Sequence, residues 1–225
     1  MARQPFLPTY EGKPAAIGSA VIERVPKLAE LVGRIAINWS GVEVQLSLAL
    51  GSMLGVENAA AVAVFLSLRN HRAQRDVLRA AADRALSGEI AEIFEALLAR
   101  HGELDKQRNQ AVHCVWGISE ATPDGILWSS QQDHANMLIT AYHLEQSGRL
   151  TYETNTHNMT KDLFVVRYAD LEELNTAIIA LDRSIGNFHG YLRYRSEPAG
   201  KNAYLALLSD TVISERRSVK AVPKP

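Results

Sequence analysis

The feature that most constrains the fold is an apolar stripe that begins just after Pro26. Large apolar residues recur there at steps of three and four, which is the spacing of one face of an α-helix. The stripe consists of Leu28, Val32, Ile35, Trp39, Val42, Leu46, Leu50 and Met53. It predicts one long helix, and other helices are needed to cover its apolar face.

Further segments also favour helices. The apolar segment 56–68 predicts a short helix, and the Ala-, Leu- and Arg-rich segment 69–86 predicts a second long one. A third long helix is predicted from 89 to about 112, with Gly102 as a weak position inside it.

A fourth long helix is predicted from Asp170, which can cap it with Glu173 three residues further on. Its apolar stripe runs to Leu192. The segment "NAYLALLSD" predicts a short terminal helix.

Between the third and fourth long helices the pattern changes to short β-branched and aromatic runs. "CVWGISE" and "GILWSS" flank the turn sequence "ATPDG", which predicts a β-hairpin. "MLITAYHL", "RLTYETNT" and "LFVVRY" are interpreted as further strands. The predicted fold is mainly α: a bundle of four to five helices with a small antiparallel β insertion at about 114–168.

Length sets the domain organisation. A chain of 225 residues, 47% hydrophobic, can form one sizeable core. We expect a single helical domain over 18–195 that contains the insertion. Residues 1–17, with three prolines, predict an irregular arm, and 196–225 predict a short helix and a flexible tail.

Charge and cysteine content exclude some classes of protein. A net charge of -1 argues against a generally basic nucleic-acid coat, although 17 of the 24 basic residues are Arg, which suits local phosphate recognition. The single cysteine, Cys114, cannot form an internal disulfide and fits a reducing compartment. No apolar run suits a membrane span, and the first residues lack a secretory pattern, so we expect a cytoplasmic protein.

The stretch "DKQRNQAVHCVWG" places polar residues where the third long helix packs its apolar face. On an ideal helix Arg108 lies about 20° from Leu97, and Asn109 stands in the same relation to Leu98. An unpaired buried guanidinium costs several kcal/mol, so Arg108 must be paired or face a cleft or a partner. His113 lies five residues after Arg108, roughly 140° around the helix.

At these residues the sequence resembles the HEPN family. "RNQAVH" (108–113) matches the HEPN motif, an Arg followed by a polar residue with a His four to six residues beyond the Arg. "NWSGVEVQLSLAL" and "HCVWG" resemble a HEPN subset with Trp and Glu in the first helix and a small β insertion. The resemblance covers roughly 27–114 and 170–195.

The resemblance implies a metal-independent endoribonuclease that acts as a homodimer and needs no cofactor. A ribose 2'-hydroxyl would attack the adjacent phosphorus, with His113 as general base or acid. Arg108 would stabilise the phosphoryl oxygens, and Asn109 would orient His113 or the phosphate. Such an enzyme could be a toxin or defence effector that a protein partner neutralises.

The alternative is a catalytically silent HEPN-like dimer that binds a nucleotide, RNA or a protein. Arg108 would then pair with a carboxylate such as Glu43, with Trp39 packing at the same core edge. His113 would cap the helix end, where a His suits the helix dipole. Cys114 is adjacent to His113 but points about 100° away from it on a helix.

A row of arginines in the second long helix is a candidate substrate-binding surface. Arg69, Arg72, Arg75 and Arg79 could contact RNA phosphates. Ordinary pairs with Asp76 and Asp83, four residues beyond Arg72 and Arg79, are the competing interpretation. The histidines lack the spacing of a zinc site.

Overall fold

The computed structural model describes residues 4–5, 15–56, 58–120, 122, 124–151, 162–210 and 213–214. The described part is mainly helical, as predicted. Its helices are α1 (Ala20–Arg24), α2 (Pro26–Leu54), α3 (Asn58–Ser67), α4 (His71–Ala85), α5 (Gly88–Val112), α6 (Gln131–Gln146), α7 (Tyr168–Arg193) and α8 (Pro198–Leu208). None of them combines the length and the apolar character needed to cross a membrane.

The strands form one antiparallel sheet. They are β1 (Gln4–Pro5), β2 (Ala15–Ile17), β3 (Val115–Ser119), β4 (Gly125–Ser129) and β5 (Phe164–Arg167). Their order in the sheet is β1-β5-β4-β3-β2. The predicted hairpin is confirmed, with Trp116 opposite Trp128 in its register.

The chain divides into two compact units. The first unit comprises Met1–Ala36 and Lys106–Asn175, and contains the sheet and α6. A small apolar cluster of Leu127, Met137 and Leu163 forms there, where the sheet and α6 bury large side chains. Trp128 contacts Phe164 edge-on, with 5.9 Å between ring centroids.

The second unit comprises Ile37–Asp105 and Thr176–Pro225. It buries much of the predicted apolar stripes of α2, α5 and α7, and Phe94 stacks on Phe188 with ring centroids 5.0 Å apart. Trp39 and Leu46 of α2 are almost fully buried. The period of three and four therefore identified this core correctly.

The strand predicted in "MLITAYHL" is wrong, because these residues belong to α6. Ser130 caps that helix: its Oγ accepts a hydrogen bond from the backbone N–H of Asp133 at 3.0 Å and donates to the Asp133 carboxylate at 2.6 Å. Ser and an acidic residue three positions apart are a helix-start signal. That local signal outweighs the β-branched residues of the run.

Two other parts of the structure differ from expectation, and two predicted segments are largely not described. The segment 1–17, expected to be irregular, contributes β1 and β2 to the sheet. Helix α7 begins at Tyr168, so Asp170 lies inside its first turn, where Asp170 Oδ2 accepts from the Arg167 N–H at 3.1 Å. Most of the strand predicted in "RLTYETNT", and most of the predicted tail, lie outside the described residues.

Candidate functional site

Arg108 and Asn109 lie together in the last turns of α5. The Arg108 Nη1–H donates to Asn109 Oδ1 at 2.6 Å, and both side chains are partly buried. A guanidinium has five N–H donors, and this contact occupies one of them in a fixed direction. Asn109 therefore holds Arg108 in place at this helix end.

His113 is exposed and follows the last residue of α5 directly. Its backbone N–H donates to the Asn109 carbonyl at 3.0 Å, which continues the helical hydrogen-bond pattern by one residue. The backbone of His113 is therefore held in a helical conformation, while its imidazole ring remains accessible to solvent. An accessible imidazole can pass a proton to a bound group or take one from it.

A strand of the sheet is hydrogen-bonded to the C-terminal end of α5. The Trp128 Nε1–H of β4 donates to the Gln110 carbonyl at 3.0 Å, and Trp128 is only 4% exposed. The Cys114 thiol contacts the Ala111 carbonyl at 3.6 Å. Carbonyls in the last turn of a helix lack intrahelical partners, so these contacts satisfy two of them. The β insertion thus supports the helix end that carries Arg108 and Asn109.

Trp39 and Glu43 lie on α2 in the second unit. Trp39 is 1% exposed, its Nε1–H donates to Glu43 Oε1 at 3.1 Å, and its ring stacks on His101 with 4.9 Å between centroids. Trp39 therefore has the packing role that its place in the stripe indicated. The Arg108–Glu43 pair stays a prediction.

The four arginines of the predicted row differ in their surroundings. Arg69, Arg72 and Arg79 are exposed and Arg75 is partly buried. In the described chain, Arg79 pairs with Glu95 of α5 at 3.7 Å rather than with Asp83. The row is therefore not a uniform solvated face.

Sequence reasoning missed four polar residues on the helices of the second unit. His71 Nε2 lies 4.0 Å from Asp105 Oδ1, although no short spacing in the sequence relates them. In α7, burial raises the pKa of Asp182. Burial, and secondarily the charge of Arg193, lowers the pKa of His189.

No cluster of three or more His, Cys, Asp or Glu side chains suited to a metal occurs among the residues described. Comparisons of the chain with protein-family models, curated proteins and solved structures found no match.

Proposed function

We propose that the protein is a metal-independent endoribonuclease of the HEPN type. The observation that supports this most strongly is the arrangement at the end of α5. A guanidinium hydrogen-bonded to Asn109 lies five residues before an exposed imidazole, and both occur within "RNQAVH". Arginine provides paired donors for phosphoryl oxygens, and histidine can exchange protons near neutral pH.

The proposed reaction is an internal transfer within RNA. The ribose 2'-oxygen bonds to the adjacent phosphorus as its proton leaves to a base, and the bond from phosphorus to the 5'-oxygen breaks. The departing 5'-oxygen takes a proton, so the products are a 2',3'-cyclic phosphate and a 5'-hydroxyl end. His113 acts as general base or general acid, and Arg108 stabilises the negative charge on the phosphoryl oxygens.

Asn109 acts on Arg108 in this proposal. Because the Asn109 carboxamide oxygen accepts from the guanidinium, it limits the rotamers that Arg108 can adopt. A guanidinium whose rotamers are limited in this way can bind a phosphate with less loss of conformational entropy. Asn109 is therefore a positioning residue.

The proposed enzyme works as a homodimer. Arg108 and His113 are five residues apart, and on an ideal helix their side chains diverge by about 140°. A two-fold interface can place Arg108 of one protomer beside the imidazole of the other, which removes this geometric difficulty.

The first test is cleavage of a mixed RNA pool by purified protein in EDTA, with wild type compared to His113→Ala. We expect cyclic-phosphate ends from the wild type and a loss of at least about a hundredfold in the variant, the usual scale of one acid-base group. His143→Ala, which removes another exposed histidine of the same unit, is the matched control.

Cleavage that persists in His113→Ala at equal fold and oligomeric state would contradict the proposal. A folded wild-type dimer that cuts no RNA in the pool would instead favour the silent dimer, which binds a nucleotide, RNA or a protein without cleaving it.

A further inference from the structure

Helices α4 and α5 lie antiparallel within the second unit. Residues later in α4 contact residues earlier in α5. The contacts join His71 with Asp105 (4.0 Å), Arg75 with Gly102, and Arg79 with Glu95 (3.7 Å). Residues 71, 75 and 79 are four apart and share one face of α4. Arg75 and Arg79 therefore border the groove between α4 and α5.

Gly102 gives Arg75 a place against the α5 backbone. A Cβ atom at position 102 would lie 3.1 Å from Arg75 Nη1, which is tighter than an ordinary van der Waals contact. Glycine in a helix interior lowers stability relative to alanine. Its presence here leaves room for the guanidinium to lie close to the α5 backbone.

Nearby acids do not neutralise this part of the row. Asp105 faces His71, and Glu95 faces Arg79. Within the described ranges, Arg72 and Arg75 form no ion pair, even with Asp76 on the same helix. Two arginines three residues apart therefore present adjacent positive charges without a protein carboxylate.

We propose that Arg72 and Arg75 form a subsite for the phosphate backbone of single-stranded RNA, with Gly102 leaving the space that Arg75 occupies beside α5. This inference rests on the proposed ribonuclease function. Guanidinium groups bind phosphates through paired donors, and backbone contacts of this kind position a strand without reading its bases. A single strand fits the reaction, because its backbone can adopt the geometry that attack by the 2'-hydroxyl requires.

The subsite is tested by binding of a short fluorescent oligodeoxyuridylate, measured by anisotropy over a range of salt concentrations. This probe keeps the phosphates but lacks the 2'-hydroxyl, so it cannot be cleaved by the proposed reaction. We expect Arg75→Ala and Arg72→Ala each to weaken binding roughly three- to tenfold and to reduce the salt slope by about 0.7.

Arg84→Ala is the matched control, because it removes the same charge from α4 at an exposed position outside the row. Its binding should stay within about twofold of wild type. Arg79→Ala should have a smaller effect than Arg75→Ala, because Glu95 already holds the Arg79 side chain.

Gly102→Met tests the positioning role while keeping every charge. The methionine side chain would occupy the place of the guanidinium, so its binding should resemble that of Arg75→Ala. Adding Gly102→Met to Arg75→Ala should cause no further loss, since coupled residues are not additive. Circular dichroism and sedimentation verify that all variants keep the fold and oligomeric state.

Equal binding by Arg75→Ala and Arg84→Ala, or no binding of the probe by wild type, would overturn the subsite. The ribonuclease proposal is judged separately by RNA cleavage. Cleavage combined with equal binding would reject the subsite alone, whereas Arg75-dependent binding without cleavage by wild type would reject the ribonuclease alone.

Discussion

At the scale of single residues, Asp182 is a carboxyl group in unfavourable surroundings. Its Oδ1 is buried and makes no hydrogen bond to any residue that the structure describes. The same atom lies 3.1 Å from where a Cβ on Gly41 would be, so α2 and α7 approach closely there. Burial raises the pKa of Asp182 above its ordinary value of 3.8, because the charged form loses hydration.

We predict that Asp182→Asn stabilises the protein at neutral pH. A raised pKa in the folded state means that the stability contributed by this group is present below 3.8 and is lost as pH rises through the folded pKa. The difference in melting temperature between variant and wild type should therefore be small near pH 3.5 and larger at pH 7.

The measurement is thermal unfolding across this range of pH, with Asp76→Asn at an exposed position of α4 as the control. The gain at neutral pH should be below about 1 kcal/mol, because Asp182 is only partly buried and solvent screens its charge. A pH-independent difference would contradict the assigned cause.

At the scale of elements, the end of α5 depends on the sheet. Trp128 contributes both a buried ring and a hydrogen bond to the Gln110 carbonyl. Trp116, opposite it on β3, is also buried, but the structure gives its indole no hydrogen bond within the described part of the chain. Comparing substitutions at these two tryptophans therefore separates the contribution of packing from that of the hydrogen bond.

We predict that Trp128→Phe lowers the free energy of unfolding by about 1–3 kcal/mol more than Trp116→Phe. Both changes remove similar apolar volume, but the first also removes the donor to a carbonyl in the last turn of α5. Urea unfolding gives the difference, and hydrogen exchange at 109–114 should accelerate only in Trp128→Phe. Equal losses would show that this hydrogen bond contributes little.

The elements also show which sequence signals are reliable. Helices α2, α4 and α5 were predicted close to their true bounds, because each has a long apolar period and flanking turn or cap residues. Helix α6 was missed for two reasons. "MLITAYHL" fits both a helical and a strand pattern, and the Ser130–Asp133 helix cap that decides between them lies before this run. Strand β2 was missed because it has only three residues, too few to show an alternating pattern. It is held by pairing with β3, which is distant in the sequence.

At the scale of the whole molecule, the proposed active site requires two chains. We predict that mixing inactive Arg108→Ala and His113→Ala proteins restores RNA cleavage after subunit exchange. In a mixed dimer one of the two sites receives an intact Arg108 from one protomer and an intact His113 from the other. Random exchange should recover about a quarter of wild-type activity, since half the dimers are mixed and each has one working site.

The assay is cyclic-phosphate release after the two variants are unfolded and refolded together. The control mixes each variant with itself, which should restore nothing. Recovery that fails although mixed dimers are detected by mass spectrometry would show that Arg108 and His113 act within one chain.

The sequence by itself determined the helical class, the apolar stripes, the hairpin and the residues "RNQAVH", because periodicity, turn residues and short motifs are local. Only the tertiary structure decided which polar groups meet. The contacts of Trp128 with Gln110, Arg79 with Glu95 and His71 with Asp105 join positions 16 or more residues apart. Such pairings depend on how elements pack, and hydrogen bonds and ion pairs act only over a few ångströms, so no local pattern predicts them.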